Sequence, residues 1–288
     1  MPEGDTIFRA ARTLHRVLAG KIVTRFESVY SALTRISYDH PIVGRTIESV
    51  SARGKHLLIA FSGDLILRTH MRMNGSWHIY PTAARWQRPA RDMRVLVATH
   101  DAVAVGFNVP VAELLTARQL SRHPDVQALG PDLLAAESGA DAPHANGFDK
   151  AEAIRRLRAR DRDVIADVVL NQRVIAGIGN VFKSEILYLA GLDPFTTVSS
   201  LDDAELERLL EIARAQLTAN VMTRSQTLSP FVGRRTTRSL DPREKLWVYG
   251  RGGKPCRRCG AAIRSKKTGV DARLTYWCPA CQRPRPAR

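Results

Sequence analysis

All four cysteines of the chain fall within its last 33 residues, as Cys256-x-x-Cys259 and Cys278-x-x-Cys281, with 18 residues between the pairs. A Cys-x-x-Cys turn places two thiolates on one side of a tight knuckle. Two such knuckles on a hairpin supply the tetrahedral sulfur shell that zinc prefers. Four protein ligands leave no open coordination position, so a single Zn2+ held here is predicted to be structural. Two disulfides are the alternative reading of the same spacing. The opening Met-Pro-Glu-Gly-Asp shows no export signal, which gives no reason to expect an oxidising compartment.

The opposite end offers a nucleophile. Initiator methionine is normally removed ahead of a small residue, so the mature chain is predicted to begin with the secondary amine of Pro2. An α-amino group titrates near 8, which leaves roughly a tenth of it unprotonated at neutral pH, far more than for a lysine side chain. Condensed with an aldehyde, a secondary amine gives a charged iminium, an electron sink that at a sugar C1′ favours elimination. Glu3 alongside is a candidate proton donor. A second-position proline can equally be an accident of coding.

A third candidate is the turn Asn171-Gln-Arg-Val-Ile-Ala-Gly177-Ile-Gly179-Asn180, whose glycines permit tight bends just before a helix start. Amides at such a start and the Asn180 side chain form a possible phosphate contact; a plain helix cap is the other reading. Charge points the same way. The chain carries a net +16, and from Arg234 to Arg288 there are 16 Lys and Arg against 3 Asp and Glu. Between the cysteine pairs, Arg264, Lys266, Lys267 and Arg273 can face a phosphate backbone. A polyanion, most simply nucleic acid, is the expected partner, against the alternative of a solvated basic tail.

These groups need elements to hold them. From Asp5 to Leu18, Ile7, Phe8, Ala11, Leu14 and Leu18 recur at helical spacing, with Asp5 or Thr6 as N-cap and Gly20 as terminator. Ile22 to about Val111 breaks into short Val, Ile and Leu runs, predicting a β-sandwich. Helices are predicted over Lys150 to Leu170, Val181 to Ala190 and Leu201 to Val221. The expected division is residues 1–134 as an N-terminal domain, 135–148 as a linker, 149–245 as a helical domain, and 246–288 as a four-cysteine zinc finger with a basic tail. The longest apolar runs fall short of a membrane span, so no membrane partner is expected. Nothing in the sequence demands an oligomer, and a monomer in the cytoplasm or nucleoid is the default.

Pro2-Glu3-Gly4, Arg53-Gly54-Lys55, the Gly177 to Asn180 turn and the four-cysteine hairpin, in this order and spacing, resemble the formamidopyrimidine-DNA glycosylase and endonuclease VIII family. The resemblance spans nearly the whole chain. It implies an α+β multidomain fold: an N-terminal β-sandwich with its leading helix, a helix-two-turns-helix domain, and a C-terminal β-hairpin zinc finger. It also implies a bifunctional glycosylase and abasic-site lyase acting on damaged DNA in base excision repair. Pro2 would attack C1′ and form the Schiff base, and Glu3 would protonate the opening sugar. Lys55 would assist elimination near the scissile nucleotide, and Arg273 would grip the flanking phosphate for the δ step.

The turn His70-Met71-Arg72-Met73-Asn74-Gly75 resembles the family's void-filling loop, with Met73 wedged into the stack and Arg72 facing the orphaned base. An ordinary hairpin with a core methionine is the alternative. The family's 8-oxoguanine branch carries an Arg-Arg-Phe-like segment where this chain reads Phe107-Asn108-Val109-Pro110-Val111. This favours the endonuclease VIII side and oxidised pyrimidines. Asp5 and the absence of a Gln-Leu-Tyr in the void-filling turn depart from that branch. A zinc-ribbon nucleic-acid-binding protein, or an inactive relative without lyase activity, would share the charge and the cysteines.

Overall fold

The structure is a computed structural model that describes residues 2–135, 147–222, 234–269 and 271–284. The chain divides into two compact units, the first built on Met1–Ala128 and the second on the described residues from Leu129 onward.

The first unit begins with helix α1, Gly4–Leu18. Its apolar face (Ile7, Ala11, Leu14, Leu18) is buried, as the spacing predicts. The N-cap is Glu3 rather than Asp5 or Thr6. The Glu3 carbonyl accepts from the amides of Thr6 and Ile7 at 3.0 and 3.1 Å, and Asp5 is buried in the first turn, 3.8 Å from Arg9. Gly20 sits just past the helix end at φ +78, a left-handed position that suits glycine.

Eight strands follow: β1 Arg25–Ser28, β2 Ile47–Arg53, β3 His56–Phe61, β4 Leu65–His70, β5 Ser76–Pro81, β6 Met93–Ala98, β7 Ala102–Phe107 and β8 Val111–Leu115. They form two antiparallel four-stranded sheets, ordered β1-β6-β7-β5 and β2-β3-β4-β8. One core joins the two sheets and α1, through residues such as Leu14, Leu57, Ile59, Leu67, Trp77, Val95 and Val97. Leu96, Ala98, Val103, Val105 and Phe107 point the other way and form a smaller cluster with Tyr80, so β6 and β7 are buried on both faces. Helix α2, Ser31–Asp39, interrupts the strand pattern and was not expected. Two short helices, α3 Ala117–Ser121 and α4 Pro124–Gln127, end the unit.

The second unit contains α5 Lys150–Arg158, α6 Ile165–Val168, α7 Asn180–Ala190 and α8 Asp203–Met222. The single helix expected over Lys150 to Leu170 is therefore two. Between Leu157 and Val164 the only apolar residue is Ala159, so a continuous helix would have nothing to bury across the charged run Arg158 to Asp163. Asp202 and Glu205 cap α8 reciprocally: the Asp202 carboxylate accepts from the Glu205 amide at 2.8 Å and the Glu205 carboxylate from the Asp202 amide at 3.0 Å. Strands β9, Arg264–Thr268, and β10, Arg273–Trp277, pair as an antiparallel hairpin. Most of the expected linker at 135–148 falls on 136–146, outside the described residues, as do Met1 and the last four residues of the basic tail.

Candidate functional site

On the first unit, Pro2 is buried at the mouth of α1, and Glu3 is wholly buried. A 15-residue helix presents partial positive charge at its N-terminus. A negatively charged group near that end is stabilised. The helix lies along β2 and β3 and is fastened to β2 by the Val50 amide, which donates to His15 Nδ1 at 3.1 Å.

Lys55 occupies the turn between β2 and β3, where Arg53 pairs with His56 and Gly54 takes φ +57. His56 in turn pairs with His70 at the end of β4. The register thus brings Lys55, His56 and His70 to one end of the sheet, the two imidazoles edge to face at 4.9 Å. Burial, with Arg68, His70, His123 and Arg53 nearby, lowers the His56 pKa to about 3. His70 is lowered to about 4 by burial and by Lys55, Arg68 and Arg72, against Asp125. Both rings are neutral at neutral pH. His70 Nδ1 accepts from the Arg72 amide at 3.1 Å, which leaves Nε2–H as its donor.

The segment after His70 is a tight loop closed by the Gly75 amide on the Met71 carbonyl at 2.9 Å. A Cβ at residue 75 would lie 2.6 Å from that carbonyl oxygen, so only glycine fits. Met71 is 2% exposed and Met73 52%. Thus the methionine expected to insert is the projecting one, and its neighbour serves the core. Arg72, beside Met73, adopts φ +44.

On the second unit, the turn before α7 is tied by one side chain: Gln172 accepts from the Gly177 amide at 3.1 Å and donates to the carbonyls of Ile178 and Leu170 at 2.9 and 2.8 Å. Asn180, the first residue of α7, is buried. Its Nδ2 donates to the Leu274 carbonyl at 2.9 Å, and its Oδ1 is buried with no hydrogen-bond partner among the described residues. Lys183, wholly buried, donates to Thr275 Oγ1 at 2.7 Å, and the Tyr276 amide donates to Ser184 Oγ at 3.3 Å. Three consecutive contacts therefore lock α7 to β10, the strand that begins with Arg273. Arg273 is half-buried, 3.6 Å from Asp271.

The four cysteine sulfurs lie within 4.8 Å of one another. Cys256 and Cys281 are 3.9 Å apart, and Cys259 and Cys278 3.4 Å. Sulfurs at about 2.3 Å from a tetrahedral zinc sit about 3.8 Å apart, whereas a disulfide brings them to about 2.05 Å. The thiolates fit one closed structural zinc. The Tyr188 hydroxyl lies 3.3 Å from Cys256 Sγ. The Gln282 amide joins the second knuckle to the end of α7, accepting from the Cys278 amide at 2.9 Å and donating to the Leu192 carbonyl at 2.8 Å.

Models of known families match three segments: the formamidopyrimidine-DNA glycosylase N-terminal domain at residues 1–111, its H2TH domain at 139–231, and the zinc finger found in FPG and IleRS at 253–284. "Probable endonuclease 8 2" of Streptomyces coelicolor is 39% identical over 285 residues, covering 98% of this chain and 94% of its own. The chain belongs to the formamidopyrimidine-DNA glycosylase and endonuclease 8 family. The family relative "DNA-(apurinic or apyrimidinic site) lyase Nei2" of Mycolicibacterium smegmatis is 34% identical, covering 98% of this chain and 99% of its own. The family fold recurs in the Lactococcus lactis Fpg complex with abasic-site DNA, at TM-score 0.78 and 24% identity over 98% of this chain and all of that one.

Within this family fold, three buried groups that the sequence reading passed over hold the second unit together. Glu185, wholly buried, accepts from the amides of Trp247, Val248 and Tyr249 at 2.8, 2.9 and 2.8 Å, and from the Thr236 hydroxyl. Lys183 and Tyr188 are the other two. The run Lys183-Ser184-Glu185 inside an otherwise apolar helix was the available signal, because polar side chains on a helix buried all round must find partners inside the protein.

Proposed function

We propose that this protein is a bifunctional DNA glycosylase and abasic-site lyase of base excision repair that excises oxidised bases, pyrimidines in particular. The observation that carries this reading is Pro2 next to a wholly buried Glu3 at the positive end of α1. In a chain processed to begin at Pro2, the amine attacks C1′ of the damaged nucleotide, the base departs, and Glu3 delivers a proton to the ring oxygen as the sugar opens. The resulting iminium acidifies C2′–H. Loss of that proton expels the 3′ phosphate, and a second elimination expels the 5′ phosphate.

Lys55 and the Nε2–H of His70, at one end of the sheet, are suited to phosphate oxygens, as are Arg273 and the start of α7. Met73, projecting from a tight loop, fills the space left by the extruded nucleotide, with Arg72 toward the unpaired base. The names of the relatives support the glycosylase and lyase assignment, and the absence of an Arg-Arg-Phe-like segment after β7 supports the preference for pyrimidines. We take the enzyme to work as a monomer on DNA in the cytoplasm or nucleoid.

Borohydride reduction of the protein incubated with an oligonucleotide carrying one abasic site tests this. A covalent adduct mapping to residue 2, and lost when the N-terminus is blocked or in Pro2→Gly, is expected. Intact DNA binding with no adduct would leave a zinc-ribbon binding protein or an inactive relative. A panel of oxidised pyrimidine and purine lesions then tests the substrate preference.

A further inference from the structure

The second unit contains a cavity of ≈790 Å³ at the C-terminal end of α7, beside the first zinc knuckle. Among the described residues its lining includes four arginines, Arg238, Arg251, Arg257 and Arg258, with Trp247 and a single carboxylate, Glu244. That carboxylate is already engaged, 2.6 Å from Arg257. Arg251 spends its guanidinium on the carbonyls of Trp247 and Pro255. Arg258 lies over the rings of Tyr188 and Trp247, at 4.9 and 5.8 Å from their centres. Arg238 and Arg258 are exposed, and among the described residues no carboxylate pairs with either.

This cavity is not at the end of the helix that we assign to DNA. Asn180 opens α7 next to Leu274 and Arg273, and Tyr188 follows eight residues later, about 12 Å along the axis. The cavity is a half-open concavity with an indole wall, of a volume within the range of about 300–1,000 Å³ typical of ligand pockets. The preceding segment, residues 223–233, holds no Asp or Glu that could fill it from within the chain.

We propose that this cavity docks an acidic peptide segment of a partner protein, its carboxylates on the arginines and an apolar side chain against Trp247. The guanidinium of Arg258, fixed on two aromatic rings, is already oriented, so little side-chain freedom is lost when a carboxylate bridges it bidentately. Trp247 supplies the aromatic anchor around which such interfaces concentrate their affinity. A partner held here leaves the opposite end of α7 free, so the enzyme could engage DNA and partner together.

Fluorescence anisotropy tests this on the zinc-loaded full chain. The probe is a labelled decapeptide of alternating Asp and Glu ending in Phe, and the control is the same peptide with Asn and Gln. The acidic peptide is expected to bind, to weaken with added salt, and to bind at least about tenfold more weakly to Arg238→Glu/Arg258→Glu. Affinity for an abasic-site duplex should fall by much less. Zinc content and thermal midpoint are measured on the double variant, and Arg238→Glu alone, at an exposed residue outside the knuckle, covers the case in which the double variant loses its metal. Failure of the acidic peptide to bind at low salt, or equal binding of the amide peptide, overturns the proposal. So does a loss of duplex affinity as large as the loss of peptide affinity, which would make the cavity part of the nucleic-acid footprint.

Discussion

The side-chain amide of Asn180 donates to the main-chain carbonyl of Leu274 at 2.9 Å, so the first residue of α7 is fastened to β10 beside Arg273. Asn180→Ala removes the tie and should weaken abasic-site DNA binding and lower the thermal midpoint. Asn180→Asp sets a carboxylate acceptor against a carbonyl acceptor in a buried position, and should be the worse variant by about 1–3 kcal/mol. Urea unfolding of both variants checks this; equal stabilities would mean the amide is not the fastening.

The Glu185 carboxylate receives three consecutive backbone amides and a threonine hydroxyl in the interior. Glu185→Gln turns one acceptor oxygen into an NH2 group facing N–H donors. It should cost about 2–4 kcal/mol despite its near-identical shape. Denaturant midpoints measure the loss, and a change under about 0.5 kcal/mol would show that the carboxylate is not needed as an acceptor.

Zinc removal should act locally. Chelation, or Cys278→Ser, is expected to free the Tyr188 hydroxyl from Cys256 and disturb the Tyr188 and Trp247 stack, whose ring centres are 5.5 Å apart. The observable is a change in intrinsic fluorescence accompanying zinc release, with abasic-site DNA affinity falling by at least about tenfold as the hairpin bearing Arg273 loosens. Retention of full DNA affinity by the metal-free protein would contradict this.

Met73 should matter only where there is a base stack to hold open. Met73→Ala is expected to slow excision from duplex DNA about tenfold and to leave single-strand excision nearly unchanged, since a single strand needs no filler for an extruded base. Paired rate measurements on one lesion in both contexts decide it; an equal loss in both would assign Met73 to folding or to substrate contact instead.

The two depressed histidines give a pH dependence of definite sign. The unfolded chain protonates them near pH 6.5, while native His70 stays neutral down to about pH 4 and native His56 down to about pH 3. Between those limits the unfolded state binds more protons, so stability is fully present above about pH 6.5 and falls on acidification. Buried His56 contributes up to about 1.4 kcal/mol per pH unit, and the less buried His70 contributes less. His56→Phe should flatten the decline in unfolding free energy between about pH 6.5 and pH 5; an unaltered slope would rule out this origin.

Periodicity made the leading helix, the sandwich and the third long helix legible, because each buries one continuous apolar face. It failed at Arg158 to Asp163, where a charged run that could have decorated a solvent face instead turns the chain, and at Ser31 to Asp39, a helix that buries little more than Leu33. Cysteine spacing was enough for the metal, since four thiolates carry their own geometry. Asn180 was singled out by its glycine turn, but its tie to Leu274 was out of reach, because 94 residues separate the pair. Glu185 was missed for the same reason: what makes it unusual is three amides 62 to 64 residues away.

That arrangement bears on how portable the finger is. The amides of Trp247, Val248 and Tyr249 sit at the entrance to the first knuckle, and the acceptor that satisfies them belongs to α7. A peptide cut out from residue 234 onward would keep all four sulfurs yet lose that acceptor, along with the phenol beside Cys256 and the lysine under Thr275. Transplanting this metal-binding hairpin into a foreign scaffold should therefore succeed only when α7 travels with it, which makes the inherited building block a helix and a finger together rather than a finger alone.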